Sequence, residues 1–147
     1  MSKDRYRKGA HTVYDIKYHV VWVTKYRYQV LRGEIAIRAR DLIREICVAK
    51  EIVIIKGHVG RDHVHLLVSA PPRMSVSKMM QYIKGKSSYQ LQREYSSLKK
   101  RYWGQHLWAR GYFCATSGTV TEEMIKAYIE QQDVPPEDDF RVADEAQ

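Results

Sequence analysis

The sequence predicts an α+β fold: a ferredoxin-like antiparallel sheet, the plan RNA-recognition modules also use, with helices on one face and a further helix near the C-terminus. Three observations predict it. Apolar spacing switches between period two and period 3.6 in the order strand, helix, strand, strand, helix, strand. The middle two strands are joined only by Gly60-Arg61-Asp62, a hairpin link. The 147 residues, 44% hydrophobic, suit one domain around one core.

The first strand is expected over Val13 to Thr24, with Tyr18, Val20, Trp22 and Thr24 on one face. His19 lies within it, belongs to no ligand-like spacing, and reads as structural or DNA-facing. After a basic loop and Gly33, a helix is expected from about Glu34 to Lys50, its buried stripe Ile35, Ala39, Leu42, Ile43 and Ile46. Strands follow over Ile52 to Val59 and His63 to Ser69, the second ending before Pro71-Pro72. A second helix opens at Ser75, turning Val76, Met80, Ile83, Ser87 and Leu91 inward. Its Lys78, Lys84, Lys86 and Arg93, with Lys99 beyond, are then left for solvent or phosphates. Trp108 to Ser117 reads as the fourth strand, and Ser117-Gly118 as a hinge. Thr119-Val120-Thr121-Glu122 has the form of a capping box opening a helix through about Gln132. Residues 1–133 thus form the expected domain, and residues 134–147, acidic and broken by Pro135-Pro136, an expected flexible tail.

The formal net charge of +8 understates the basic body. Residues 133–147 carry six acids against Arg141 alone, which leaves +13 on residues 1–132. Such a body attracts phosphate polymers. Eleven tyrosines against two phenylalanines, many beside Lys or Arg as in Lys25-Tyr26-Arg27-Tyr28 and Lys99-Lys100-Arg101-Tyr102-Trp103, add rings for stacking to cations for phosphate. Some of these rings serve equally well to cover the core edge. No apolar run reaches the roughly 18 residues of a membrane helix, and the N-terminus leads into no signal-peptide core. Cys47 and Cys114 have no metal-like spacing and read as reduced core residues of a cytoplasmic protein.

Chemistry concentrates in Gly57-His58-Val59-Gly60-Arg61-Asp62-His63-Val64-His65. Alternation puts His63 and His65 on one face of their strand, about 6.5 to 7 Å apart, close enough to converge on one metal ion, although two solvated histidines would have the same pattern. His58 reads as an ordinary strand residue and Asp62 as a turn residue, each near enough to lean toward such an ion. On the last helix Tyr128 and Gln132 lie one turn apart on one face, so a candidate nucleophile and a neutral oxygen donor are presented together. A helical tyrosine is more often a packing residue than a nucleophile.

The combination resembles the HUH single-strand endonucleases, and within them the small transposases of the insertion-sequence 200/605 type. The resemblance lies in His63-Val64-His65, in Tyr128-Ile129-Glu130-Gln131-Gln132, in Tyr18-His19-Val20-Val21-Trp22-Val23-Thr24-Lys25-Tyr26-Arg27 and in Tyr82-Ile83-Lys84-Gly85-Lys86-Ser87-Ser88, spanning roughly residues 10–133. It implies His63, His65 and Gln132 as ligands of Mg²⁺ or Mn²⁺, and Tyr128 as the nucleophile that forms a 5′-phosphotyrosine. Gln131 is the neighbour that competes with Gln132 as ligand, and Lys126 or a metal-bound water would take the phenol proton. Lys25, Arg27, Lys84 and Lys86 are the expected nucleic-acid contacts. The implied function is single-stranded DNA transposition: hairpins at element ends are bound, nicked and rejoined by a homodimer whose active sites are completed in trans. The expected location is the cytoplasm, at the nucleoid when DNA is bound. A domesticated nuclease acting on repeated palindromes and a non-catalytic RNA- or single-strand-binding module are the alternatives.

Overall fold

The computed structural model describes residues 6–9, 11–116, 127 and 140–143. A two-stranded ribbon, β1 (Arg7–Lys8) with β2 (Val13–Tyr14), precedes β3 (Lys17–Val23), a 3-10 turn at Lys25–Arg27, α1 (Gly33–Ala49), β4 (Val53–Val59) and β5 (His63–Ser69). Then come α2 (Val76–Glu94), α3 (Ser96–Arg101), β6 (Phe113–Thr116) and β7 (Arg141–Val142). The main sheet has the order β6-β3-β5-β4-β7, antiparallel except where β7 runs parallel to β4. This is the expected α+β plan, with α1 and α2 packed on one face.

Alternation decides what each sheet face holds. The β3–β5 register pairs Tyr18 with Val68, Val20 with Leu66 and Trp22 with Val64, and these apolar side chains meet Ala36, Ala39, Ile43 and Cys47 of α1 and Met79, Met80 and Ile83 of α2. The next residue along each strand faces the other way. That second face carries His19, Val21 and Val23 from β3, His63, His65 and Leu67 from β5, and His58 from β4, which pairs with His65.

Two expected strands are shorter than their apolar patterns. The first is interrupted at Asp15-Ile16, where Lys17 Nζ bonds Asp15 Oδ1 at 2.5 Å and only the piece from Lys17 onward joins the sheet. The ribbon before it is held by Arg7, which donates to the carbonyls of Ser69 and Glu51 at 3.0 Å each. The fourth begins at Phe113 rather than Trp108, because Trp108 makes only an isolated bridge to Thr24, with Ala109 N still donating to Val23 O at 2.9 Å, before the chain bends at Arg110 and passes Gly111 at φ 95°. Ser75 caps α2 as expected, its hydroxyl accepting from Lys78 N at 3.1 Å. Within the segment read as a tail, Phe140 and Val142 are buried, and Ala143 N donates to Val59 O at 2.8 Å. Gly57 makes room for this, since a Cβ there would collide with the Phe140 ring.

Candidate active site

The β4–β5 hairpin builds the site from its own turn. Gly60 N donates to His63 O at 2.8 Å, so Arg61 and Asp62 form a two-residue link and His63 is the first residue of its strand. The His63 ring lies against the Gly60 backbone so closely that a Cβ on Gly60 would overlap it. His63 is fully buried.

Asp62 sets the tautomer of His63. Its Oδ1 lies 3.0 Å from His63 Nδ1, so a carboxylate there accepts a hydrogen bond from Nδ1–H and, in the neutral ring, leaves Nε2 as the nitrogen with the lone pair. That Nε2 is buried and has no hydrogen-bond partner among the described residues. Asp62 is in turn gripped by Arg27, whose Nε and terminal nitrogen both approach Oδ2 at 3.1 Å. Burial alone would raise the Asp62 pKa, but the hydrogen bonds from His63 and Arg27 and the Arg27 charge outweigh it and hold the carboxyl below its ordinary value. The turn residue is therefore also the group that orients a histidine.

His65 stands on the same face, with Nε2 3.5 Å from Nδ1 of His19 and ring centroids 5.7 Å apart. His58 and His63 form a second ring pair at 5.9 Å. Burial, then the neighbouring His19, His58 and His63, push the His65 pKa down to about 3, so it is neutral near pH 7 and able to donate a lone pair. The sequence contains no spacing that would have united these four imidazoles. His19 and His58 arrive through register, with Val21 opposite His65 on one side and His58 opposite it on the other.

A divalent ion fits this arrangement chemically, because a neutral imidazole fixed by a carboxylate on one nitrogen and bare at the other is the usual state of a metal-ligating histidine. Among the described residues no group of three or more His, Cys, Asp or Glu side chains is arranged to hold a metal, so the His63 and His65 pair needs a donor from elsewhere. Gln132 and Tyr128, the expected third ligand and nucleophile, lie outside the described residues.

The four expected nucleic-acid contacts are dispersed. Arg27 belongs to the histidine site through Asp62, and Lys25 sits two residues before it, opening the 3-10 turn that follows β3. Lys84 and Lys86 project from α2, on the helical side of the sheet. Lys84 Nζ donates to the carbonyls of Ala109 and Gly111 at 2.8 and 2.9 Å, leaving one N–H for a phosphate, whereas Lys86 is exposed. Cys47 and Cys114 are free thiols, and burial pushes Cys47 up to about 12. Among the described residues no helix is long and apolar enough to cross a membrane.

The chain is similar to several known proteins. The chain is 38% identical over 126 residues to the ISDra2 transposase TnpA of Deinococcus radiodurans, covering 86% of this chain and 90% of that protein. It is 40% identical over 123 residues to the transposase for insertion sequence element IS200 of Salmonella typhimurium, covering 84% and 80% respectively. A crystal structure of a transposase from Deinococcus radiodurans R1 superposes with a TM-score of 0.76 at 35% identity, covering 86% of this chain and 97% of that one. A REP-associated tyrosine transposase bound to a REP hairpin shares the fold, with a TM-score of 0.56 at 14% identity over 86% of this chain and 73% of that one. Transposases of this family cut and rejoin DNA, and the family suggests a divalent metal. With the family model described as "Transposase IS200 like" matching residues 12–132, the chain belongs to the IS200-like transposase family.

Proposed function

We propose that this chain is a single-stranded DNA transposase that binds hairpins at element ends, cleaves by attack of Tyr128 and rejoins the strands. The observation that carries the reading is His63: a buried imidazole with Nδ1 committed to Asp62 and Nε2 bare. Structural histidines satisfy both nitrogens or expose one to water, whereas a ligand is held in this state.

His63 and His65, with Gln132, would hold Mg²⁺ or Mn²⁺, of which Mn²⁺ accepts imidazole more readily. The ion, when bound, supplies Lewis-acid polarisation of the scissile phosphodiester. Everything else falls to the chain. Arg27 holds Asp62, Asp62 holds His63 in one tautomer, and burial keeps His65 unprotonated. The Tyr128 hydroxyl loses its proton and forms a bond to phosphorus. The bond from phosphorus to O3′ breaks, and its electron pair leaves with O3′, which takes up a proton. The product is a 5′-phosphotyrosine and a free 3′-hydroxyl, and attack by another 3′-hydroxyl reverses the step on a new partner without ATP. Residues 1–133 form the catalytic domain in this reading, and a homodimer completes each site with the partner's tyrosine. Hairpin recognition rests on family membership and on the +13 of residues 1–132.

The test incubates pure protein with labelled single-stranded element ends, with Mn²⁺ or with EDTA, and scores a covalent adduct on a denaturing gel. An adduct is expected with Mn²⁺, none with EDTA and none from Tyr128→Phe. His63→Ala should lose cleavage while keeping hairpin binding. Duplex DNA cut as readily as single strands would overturn the reading.

A further inference from the structure

We propose that the basic cleft between the C-terminal half of α2 and residues 104–110 holds a nucleotide of single-stranded DNA at the end of the sheet where His63 begins its strand, an inference that rests on the single-strand reading above. The cleft measures about 940 Å³, ample for one nucleotide. Lys25, Arg93, Lys99 and Arg110 line it, and no carboxylate does so among the described residues. Arg93, Lys99 and Arg110 are exposed, and none has an ion-pair partner among the described residues. Cations left unneutralised around a concavity favour an anionic ligand.

Two further side chains point to a nucleotide rather than to a bare anion. Tyr89 lines the cleft with its side chain 65% exposed, a ring on which a base can stack. Gln92 is 7% exposed, and its Nε2 donates to Gln105 O at 2.5 Å and to Ser88 Oγ at 3.2 Å. Its Oε1 is buried with no donor among the described residues. A buried acceptor left open beside a stacking ring suits the N–H edge of a base.

The cleft lies on the helical side of the sheet, opposite the histidine face, at the end where His63 opens its strand. Trp108, in its wall, bridges Thr24, the residue after Val23, and Val23 is paired with His63. Thr24 N donates to Asp62 O at 2.8 Å, so the cleft wall and the turn that orients His63 are linked through Thr24. Lys84 shapes the wall by holding the carbonyls of Ala109 and Gly111.

The test measures fluorescence anisotropy of a fluorescein-labelled oligothymidylate of about 12 nucleotides across a salt series, in EDTA so that no cleavage intervenes. Arg93→Ala with Arg110→Ala should weaken binding about tenfold and reduce the slope of log affinity against log salt by about 1.4, or about 0.7 for each lost phosphate contact. Tyr89→Ala should weaken binding about tenfold with the slope unchanged, because it removes stacking and no charge. All three substituted side chains are exposed, and a thermal melt confirms folding. Wild-type affinity and slope in both variants would overturn the inference. So would an equal loss from Lys50→Ala with Arg73→Ala, two cations that do not line the cleft. Adduct formation is scored separately. An active wild type whose cleft variants still bind normally overturns only the cleft, whereas cleft-dependent binding with no adduct overturns only the nuclease reading.

Discussion

Replacing Asp62 with Asn keeps the shape of the side chain and removes its charge, which tests whether the turn controls the metal-binding state of His63. In the native chain, Asp62 Oδ1 accepts a hydrogen bond from His63 Nδ1 at 3.0 Å while Oδ2 is held by Arg27 at 3.1 Å. Asn can still accept one hydrogen bond, but its amide end would face the Arg27 guanidinium, and a flip to relieve that clash would present N–H to His63. The carboxylate that fixes the ring and raises its basicity is lost either way. Losing such a partner typically weakens metal affinity about 10- to 100-fold, or about 1.4 to 2.7 kcal/mol. Hydrogen bonds to charged groups, at about 1.5 to 3 kcal/mol, lead to the same range. Stability should fall less, because the Arg27 side chain is 45% exposed and water can replace its partner. The assay is calorimetric Mn²⁺ titration in a Tyr128→Phe background, paired with adduct yield against Mn²⁺ concentration in the active chain. We expect the Mn²⁺ requirement of Asp62→Asn to rise by one to two orders of magnitude, with excess Mn²⁺ restoring most of the adduct. Unchanged Mn²⁺ affinity would refute the assignment of Asp62 as a positioning residue, and lost activity that excess metal cannot restore would refute the stated cause.

Three other outcomes follow from the same geometry. Gly60→Ala places a Cβ inside the His63 ring, so it should cost about 1 to 3 kcal/mol in urea unfolding and abolish the adduct, and a neutral result would mean the hairpin yields easily. In EDTA, stability should fall as pH drops from about 6.5 toward 3: the His65 pKa is about 3 when folded against 6.5 as a model value, so the unfolded chain binds the extra proton throughout that window. Asp62, whose folded pKa is lowered, acts in the same direction, its contribution present above the model value of 3.8 and lost as pH falls through the folded one. Urea midpoints that do not change between pH 7 and 4.5 would contradict the buried neutral imidazole. Phe140→Ala removes a ring that is 8% exposed and lies 5.4 Å from the Arg44 guanidinium, so up to about 3 kcal/mol should be lost, read as a lower melting temperature, and a loss near zero would show that residues 140–143 add little to the fold.

Much of the architecture was legible in the sequence because alternation and helical spacing are local properties. The period-two pattern of His63 to Ser69 placed two histidines on one face, and the spacing of Ala39, Leu42, Ile43 and Ile46 marked the buried side of α1, which both hold in the structure. Strand ends were harder to read. Apolar residues continue past the points where Asp15 and Gly111 turn the backbone out of the sheet, so β3 and β6 are shorter than their patterns.

By itself the sequence determined the strand and helix order, the basic body and the shared face of His63 and His65, since each depends on neighbours along the chain. Tertiary structure alone decided that His19 and His58 join that face, that Arg27 reaches Asp62 across 35 positions, and that Asp62 leaves His63 with a bare nitrogen. Those outcomes depend on the register between strands and on which buried polar groups find a partner. Both are set by how separate segments pack, and spacing along one strand carries no record of either.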